Sequence, residues 1–147
     1  MASRTNRSSG SAAAQKLAQA IDDAADGSVV CAYLFGSFAR DRAHRESDVD
    51  VGLLFAWGER PSKAERFEAA LLLAGRLEAA VGRRVDLVVL NDAPPLLARE
   101  IVNRGERILC ADPEADHVFV RDVQLRAADL APFLERARRV KLSRLAG

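Results

Sequence analysis

Two aspartates two positions apart, Asp48 and Asp50, open an apolar run that continues Val51-Gly52-Leu53-Leu54-Phe55. If that run is a strand, residues two apart share a face. Both carboxylates then project together, their Cα atoms roughly 6.6 Å apart, while Val49, Val51, Leu53 and Phe55 turn the other way to pack. Adjacent carboxylates repel, and burying either without a cation is costly. A divalent ion removes that cost, and hard oxygen donors favour Mg²⁺ or Mn²⁺. A third carboxylate, Asp86, interrupts the apolar run Val85-Asp86-Leu87-Val88-Val89-Leu90, where a charge has no packing role. With the two runs side by side, the three acids form a cluster able to hold two metal ions on a triphosphate and an attacking oxygen. Upstream, Gly36-Ser37 follows Val29-Val30-Cys31-Ala32-Tyr33-Leu34-Phe35, and Arg40 stands three residues further on. Glycine lets the backbone approach an anion, the following N–H groups and the Ser37 hydroxyl donate to it, and Arg40 brings positive charge.

Positioning these residues requires the elements around them. A helical period from Ala12 through Leu17 and Ile21 ends near Gly27. Strands are expected over Val29–Phe35, Asp48–Phe55, Val85–Leu90 and Arg107–Ala111, with polar residues between Phe38 and Arg45 as a short helix or loop and a turn over Trp57–Pro61. Ser62 and Glu65 make a capping box for a helix to Val81, with Phe67, Leu71, Ala74, Leu77 and Val81 as its apolar stripe. Asn91 or Asp92 is expected to cap a helix from about Pro94 to Asn103, and a last helical stretch from about Pro113 is expected to break or restart at Pro132. The order predicts an α/β (α+β) fold, helices on a small mixed sheet, in a single domain over 12–147 behind a flexible tail over 1–11.

The chain has 147 residues, 49% hydrophobic and 29% charged, enough for a core without disulfides. Lys and Arg number 22 against 21 acids, which argues against a surface built to grip nucleic acid or an anionic membrane. No apolar stretch approaches the ~20 residues of a membrane helix. Cys31 and Cys110 show no ligand spacing and read as buried thiols; a cytoplasmic protein is expected. His44 and His117 read as exposed. Phe55 and Trp57 can pack or line a pocket beyond the acidic strand. The basic end, Arg136 to Arg144, reads as a helix terminus or a protein-docking surface before it reads as a nucleic-acid site.

Gly-Ser, ten residues, then Asp-x-Asp resembles the signature of the DNA polymerase β-like nucleotidyltransferase superfamily. The forms GSFAR, SDVDVGLLF and RVDLVVL resemble its minimal nucleotidyltransferase (MNT) group, and within it the MntA-type antitoxins paired with HEPN-domain toxins. The likeness runs over roughly residues 29 to 110. It implies the polymerase β-like fold and a protein adenylyltransferase that moves AMP from ATP, with Mg²⁺, to a tyrosine of the HEPN toxin, silencing its RNase activity. It implies that Gly36 and Ser37 hold the triphosphate, with Arg40 beside it, that Asp48, Asp50 and Asp86 bind metal, and that Asp86 helps deprotonate the acceptor hydroxyl. A hetero-oligomer with the toxin follows by the same likeness. Asp41 stands where many relatives have glycine, and is expected to turn away from the phosphates. A small-molecule acceptor, as in aminoglycoside-modifying relatives, and a non-catalytic antitoxin acting by steric occlusion are the alternatives.

Overall fold

The computed structural model describes residues 12–24, 26–36 and 48–146, with side chains to 141. The elements run α1 (Ala12–Ala24), β1 (Val29–Phe35), β2 (Val49–Phe55), α2 (Lys63–Val81), β3 (Val85–Val89), α3 (Pro95–Arg104), β4 (Glu106–Cys110) and α4 (Pro113–Ala146). The four strands form one mixed sheet in the order β3-β2-β1-β4. β1 pairs antiparallel with β2 and β4, and β2 runs parallel to β3. The expected mixed sheet with flanking helices is therefore the architecture observed. The tail expected over 1–11 and the Phe38–Arg45 segment lie outside the described residues.

Strand alternation divides the core in two. Val49, Val51, Leu53 and Phe55 of β2 face α1 and α2, packing with Leu17, Ile21, Leu73 and Leu77. The opposite face, with Leu54, Cys31 and Tyr33, packs against Ala98 and Ile101 of α3 and Val123 of α4. A register shift between Val29 and Cys31 turns both Val30 and Cys31 toward this second face.

Three local expectations change. In α2 the buried side is Ala70, Leu73 and Leu77 together with Arg66, while Phe67 and Leu71 are exposed. The stripe is rotated because Arg66 must reach Asp92: its Nε and Nη2 donate to the two Asp92 carboxylate oxygens at 2.9 and 2.7 Å, and Nη1 donates to the Arg60 carbonyl at 2.8 Å. Ser62 does cap this helix, its Oγ accepting from the Glu65 N–H at 3.1 Å. Asn91 and Asp92 do not cap α3, whose N-cap position is Pro94 without a side-chain bond. Asn91 instead accepts from the Phe55 N–H and donates to the Phe55 carbonyl, each at 2.9 Å, completing the end of β2. Finally, Pro132 lies inside a continuous 34-residue α4, in a stretch where every residue from 128 to 141 is exposed. There water can satisfy the carbonyl that the proline leaves unbonded.

Candidate active site

The sheet register carries the site. Asp50 stands level with Asp86 across the parallel β2–β3 ladder and level with Phe35 across the antiparallel β1–β2 ladder. These three form a row at the rim of the sheet face that α3 and α4 cover further in. The next row is Val88, Gly52, Tyr33 and Arg107. Gly52 brings α3 close beneath the acids: a Cβ there would lie 3.0 Å from Ile101 Cγ2 and 3.3 Å from Leu90 Cδ2. Asp86 is exposed, Asp50 half-buried, and Asp48 half-buried just before β2 begins.

Burial pushes the Asp50 carboxyl above the ordinary carboxylate range, and repulsion from Asp86 and then Asp48 adds to it. The fold thus holds Asp86 and Asp48 close enough to Asp50 to oppose its ionisation. Among the described residues no basic side chain offsets the Asp50 charge, so the donor set has the chemistry of a hard divalent-cation site. The fit is that of an open strip, not a closed cage: among the described residues, the trio of candidate ligands whose atoms lie within 4.8 Å of one another is Cys31, Cys110 and Asp116.

Gly36 ends β1 against this strip. Its φ is +76°, a region that L side chains rarely adopt, and a Cβ there would stand 2.5 Å from Asp50 Oδ2. Glycine is required twice over, by the backbone and by the adjacent carboxylate. The Gly36 backbone therefore lies directly beside Asp50. Ser37, Arg40, Asp41 and His44 lie outside the described residues. His117 is exposed, as expected.

Phe55 and Trp57 do not line this site. Phe55 lies five positions beyond Asp50, roughly 17 Å of strand, and is buried in the core. Trp57 stacks on the Arg66 guanidinium at 4.8 Å and borders a cavity of about 660 Å³ between α3 and α4. That cavity is at the far end of the sheet from the three acids. Both aromatics line that cavity, Phe55 from the core and Trp57 from its rim, and neither reaches the carboxylates.

One constellation was invisible in the linear sequence. Cys31 and Cys110, 79 positions apart, are register partners across β1 and β4 with their Sγ atoms 2.7 Å apart. Beside them Tyr33 Oη donates to Asp116 Oδ1 at 2.6 Å and Arg107 Nη1 donates to Asp116 Oδ2 at 3.0 Å. Burial first, then the Asp116 carboxylate, raises the Tyr33 hydroxyl out of the titrating range, and burial does the same for the Cys31 thiol. With the Asp116 oxygens occupied and a guanidinium at hand, this is a knot joining β1, β4 and α4, not a cation site. No spacing rule finds it, because only the β1–β4 pairing brings its members together.

Comparison with known proteins bears on the family and the fold. Protein adenylyltransferase MntA of Shewanella oneidensis is 36% identical over 93 residues, which are 63% of this chain and 63% of that relative. The chain thus matches somewhat under two thirds of that relative's length. A Methanocaldococcus jannaschii relative, also named for protein adenylyltransferase activity, is 33% identical over 78 residues, 53% of this chain and 77% of its own. A crystal structure of a toxin–antitoxin with AMP-PNP is 25% identical with a TM-score of 0.65, covering 91% of this chain and 98% of that one. A structure of the tri-AMPylated Shewanella oneidensis HEPN toxin with its MNT antitoxin, 22% identical at a TM-score of 0.59, covers 92% and 97% and shares the fold. The family model for polymerase beta nucleotidyltransferases matches residues 15–114, so β1, the rim of acids on β2 and β3, and the start of α4 all fall within it: the chain belongs to the polymerase beta nucleotidyltransferase family.

Proposed function

We propose that this chain is an adenylyltransferase that moves AMP from ATP to a tyrosine hydroxyl of a HEPN-domain RNase toxin, and so acts as its antitoxin. The observation that carries this reading is the level pairing of Asp50 with Asp86 on an open rim, with Gly36 pressed against Asp50. The name of the Shewanella relative supports adenylyl transfer to protein, and the AMP-PNP-containing toxin–antitoxin supports the nucleotide and the class of partner.

Asp48, Asp50 and Asp86 would hold Mg²⁺, the cation suited to carboxylate and phosphate oxygens. Bound there, divalent ions supply positive charge to the triphosphate and lower the cost of forming the attacking alkoxide. Gly36 keeps the space beside Asp50 clear so that the backbone and the Ser37 hydroxyl can donate to the β- and γ-phosphates, with Arg40 adding charge. Asp86, exposed at the strand edge, takes the proton from the acceptor hydroxyl as its oxygen attacks the α-phosphorus. Pyrophosphate leaves, and AMP is joined to the tyrosine oxygen. A purely steric antitoxin would have no use for three mutually repelling carboxylates.

Intact-mass spectrometry of the HEPN toxin after incubation with this protein, ATP and Mg²⁺ tests the assignment. Mass increments of AMP that vanish with Asp48→Asn are the expected result. A tight complex without any increment would replace it with steric neutralisation, and absence of a complex would point to a small-molecule acceptor.

A further inference from the structure

The strand that carries Asp86 is an edge. β3 pairs with β2 on one side, and no further strand follows it in the sheet order among the described residues. The Leu90 N–H donates to the Leu53 carbonyl at 2.8 Å and the Val49 N–H to the Arg84 carbonyl at 2.8 Å, so residues 84, 86, 88 and 90 turn their backbone groups toward β2. By alternation, residues 85, 87 and 89 turn theirs outward. Two of these outward positions are already engaged: the Val85 N–H donates to Glu78 Oε1 at 3.0 Å, and the Val89 carbonyl accepts from the Asp92 N–H at 3.1 Å. Leu87, between them, presents both its N–H and its carbonyl to the open side.

This edge is the floor of a groove of about 470 Å³. α2 forms one bank, with Phe67, Leu71 and Ala74, and the start of α3 forms the other, with Leu97. Phe67 is 62% exposed, Leu71 59% and Leu97 39%. Large apolar side chains on both banks of an unpaired strand are a hazard in a protein that has no use for them, since they invite pairing with other chains. The strand at the groove's floor, β3, has five residues, about 16 Å of extended chain. The groove runs along β3 to Asp86, which also lines it.

We infer that this groove docks an extended segment of the acceptor protein, which adds to β3 as a further strand and delivers its hydroxyl residue to Asp86. The inference rests on the proposed transfer to a protein hydroxyl and names how that protein is held. Ladder bonds to Leu87 supply affinity without demanding a particular sequence. Alternating side chains of the segment meet Phe67 and Leu71 on one bank and Leu97 on the other. The occupant follows from continuity: the apolar channel opens at the carboxylate assigned to the acceptor proton. A second copy paired edge to edge through β3 would close that approach.

The test combines hydrogen exchange with transfer kinetics on the full chain, using the HEPN toxin as the probe. Adding toxin and a non-hydrolysable ATP analogue should slow exchange over 85–89 by at least about tenfold at the Leu87 amide. Phe67→Glu and Leu71→Glu alter exposed side chains, so both variants should melt like the wild type and bind the nucleotide analogue equally well. Their KM for toxin should rise by about tenfold or more, with kcat at saturating toxin little changed. Phe67→Leu should restore the wild-type KM. Wild-type KM in the Glu variants, or exchange over 85–89 untouched by toxin, overturns the groove while leaving protein adenylylation standing. Protection of 85–89 that depends on this protein's own concentration overturns it in favour of self-pairing. A wild type that modifies no toxin removes the functional reading and the groove's role together.

Discussion

Asp50 is the residue at which folding and the proposed chemistry conflict. Its raised carboxyl pKa stems from burial and from two like-charged neighbours, so the folded chain resists its ionisation. A group with a raised folded pKa contributes stability that is complete below its unfolded value and lost as pH rises through the folded one. The metal-free protein should therefore melt higher on mild acidification through that range, and Asp50→Asn should melt at least as high as the wild type at neutral pH. The same variant should lose AMP transfer and the stabilisation that Mg²⁺ with ATP confers. Calorimetry with and without Mg²⁺ decides it: a lower melting temperature for metal-free Asp50→Asn would mean that the carboxylate has a structural partner. Gly36→Ala makes the complementary case. A non-glycine residue at φ +76° costs about 1–2 kcal/mol, and its Cβ would displace the Asp50 carboxylate. Activity should fall far more than a loss of this size in stability explains. A fully active Gly36→Ala would show that the position of Asp50 beside the β1 terminus is irrelevant.

Elements, more than single residues, decide which acids meet. The pairing of Asp50 with Asp86 needs β2 and β3 in one register, and Gly52 lets α3 seal the face beneath them. Gly52→Ala would press on Ile101 and Leu90, an overpacking worth about 1–3 kcal/mol, and should reduce activity through displacement of α3 without touching a carboxylate. The Arg66–Asp92 pair fastens α2 to the turn after β3. Arg66 donates two hydrogen bonds to Asp92, and these lower the Asp92 carboxyl below the ordinary range. A depressed carboxyl contributes stability that is present above its unfolded value and lost as pH falls through the folded one. Arg66→Met should cost about 2 kcal/mol at neutral pH and flatten the acid limb of the stability profile. Urea titrations at stepped pH read both, and an unchanged acid limb would show that the pair does not hold α2 in place. The same pair is why the buried face of α2 differs from the one its apolar spacing suggests. Its apolar residues satisfy two overlapping helical stripes, and a buried arginine anchor leaves no apolar signal to choose between them. Strand positions were legible because a short continuous apolar run fits a buried strand, and Asp48, Asp50 and Asp86 in such runs must face a cation or the rim. The Asn91 bridge and the Tyr33–Asp116–Arg107 knot were not, since each is defined by a partner that tertiary structure supplies.

At the scale of the whole molecule, the described residues divide into a sheet with its close-packed helices and a long helical extension. Val123 and Ala127 are the last buried side chains of α4, and every residue from 128 to 141 is exposed. Leu130, Phe133, Leu134 and Val140 recur along that stretch at helical spacing, yet no described residue covers them. Helical stability in proteins comes mostly from packing of an apolar face, and 128–141 pack on no described residue, so the extension draws little stability from the sheet and returns little to it. Among the described residues no helix is long and apolar enough to cross a membrane, so these side chains are not a spanning segment. Ending the chain after Ala128 should therefore move the melting temperature by no more than about 3 °C, equivalent to roughly 1 kcal/mol for a domain of this size. Magnesium-dependent binding of an ATP analogue should be unchanged, because Gly36, Asp48, Asp50 and Asp86 all lie on retained strands or directly at their ends. Differential scanning calorimetry and titration of the analogue measure the two quantities on one preparation. A melting temperature lowered by about 10 °C or more, on the order of 3 kcal/mol, would show that the extension belongs to the cooperative core, and the division drawn between sheet and extension would have to be given up.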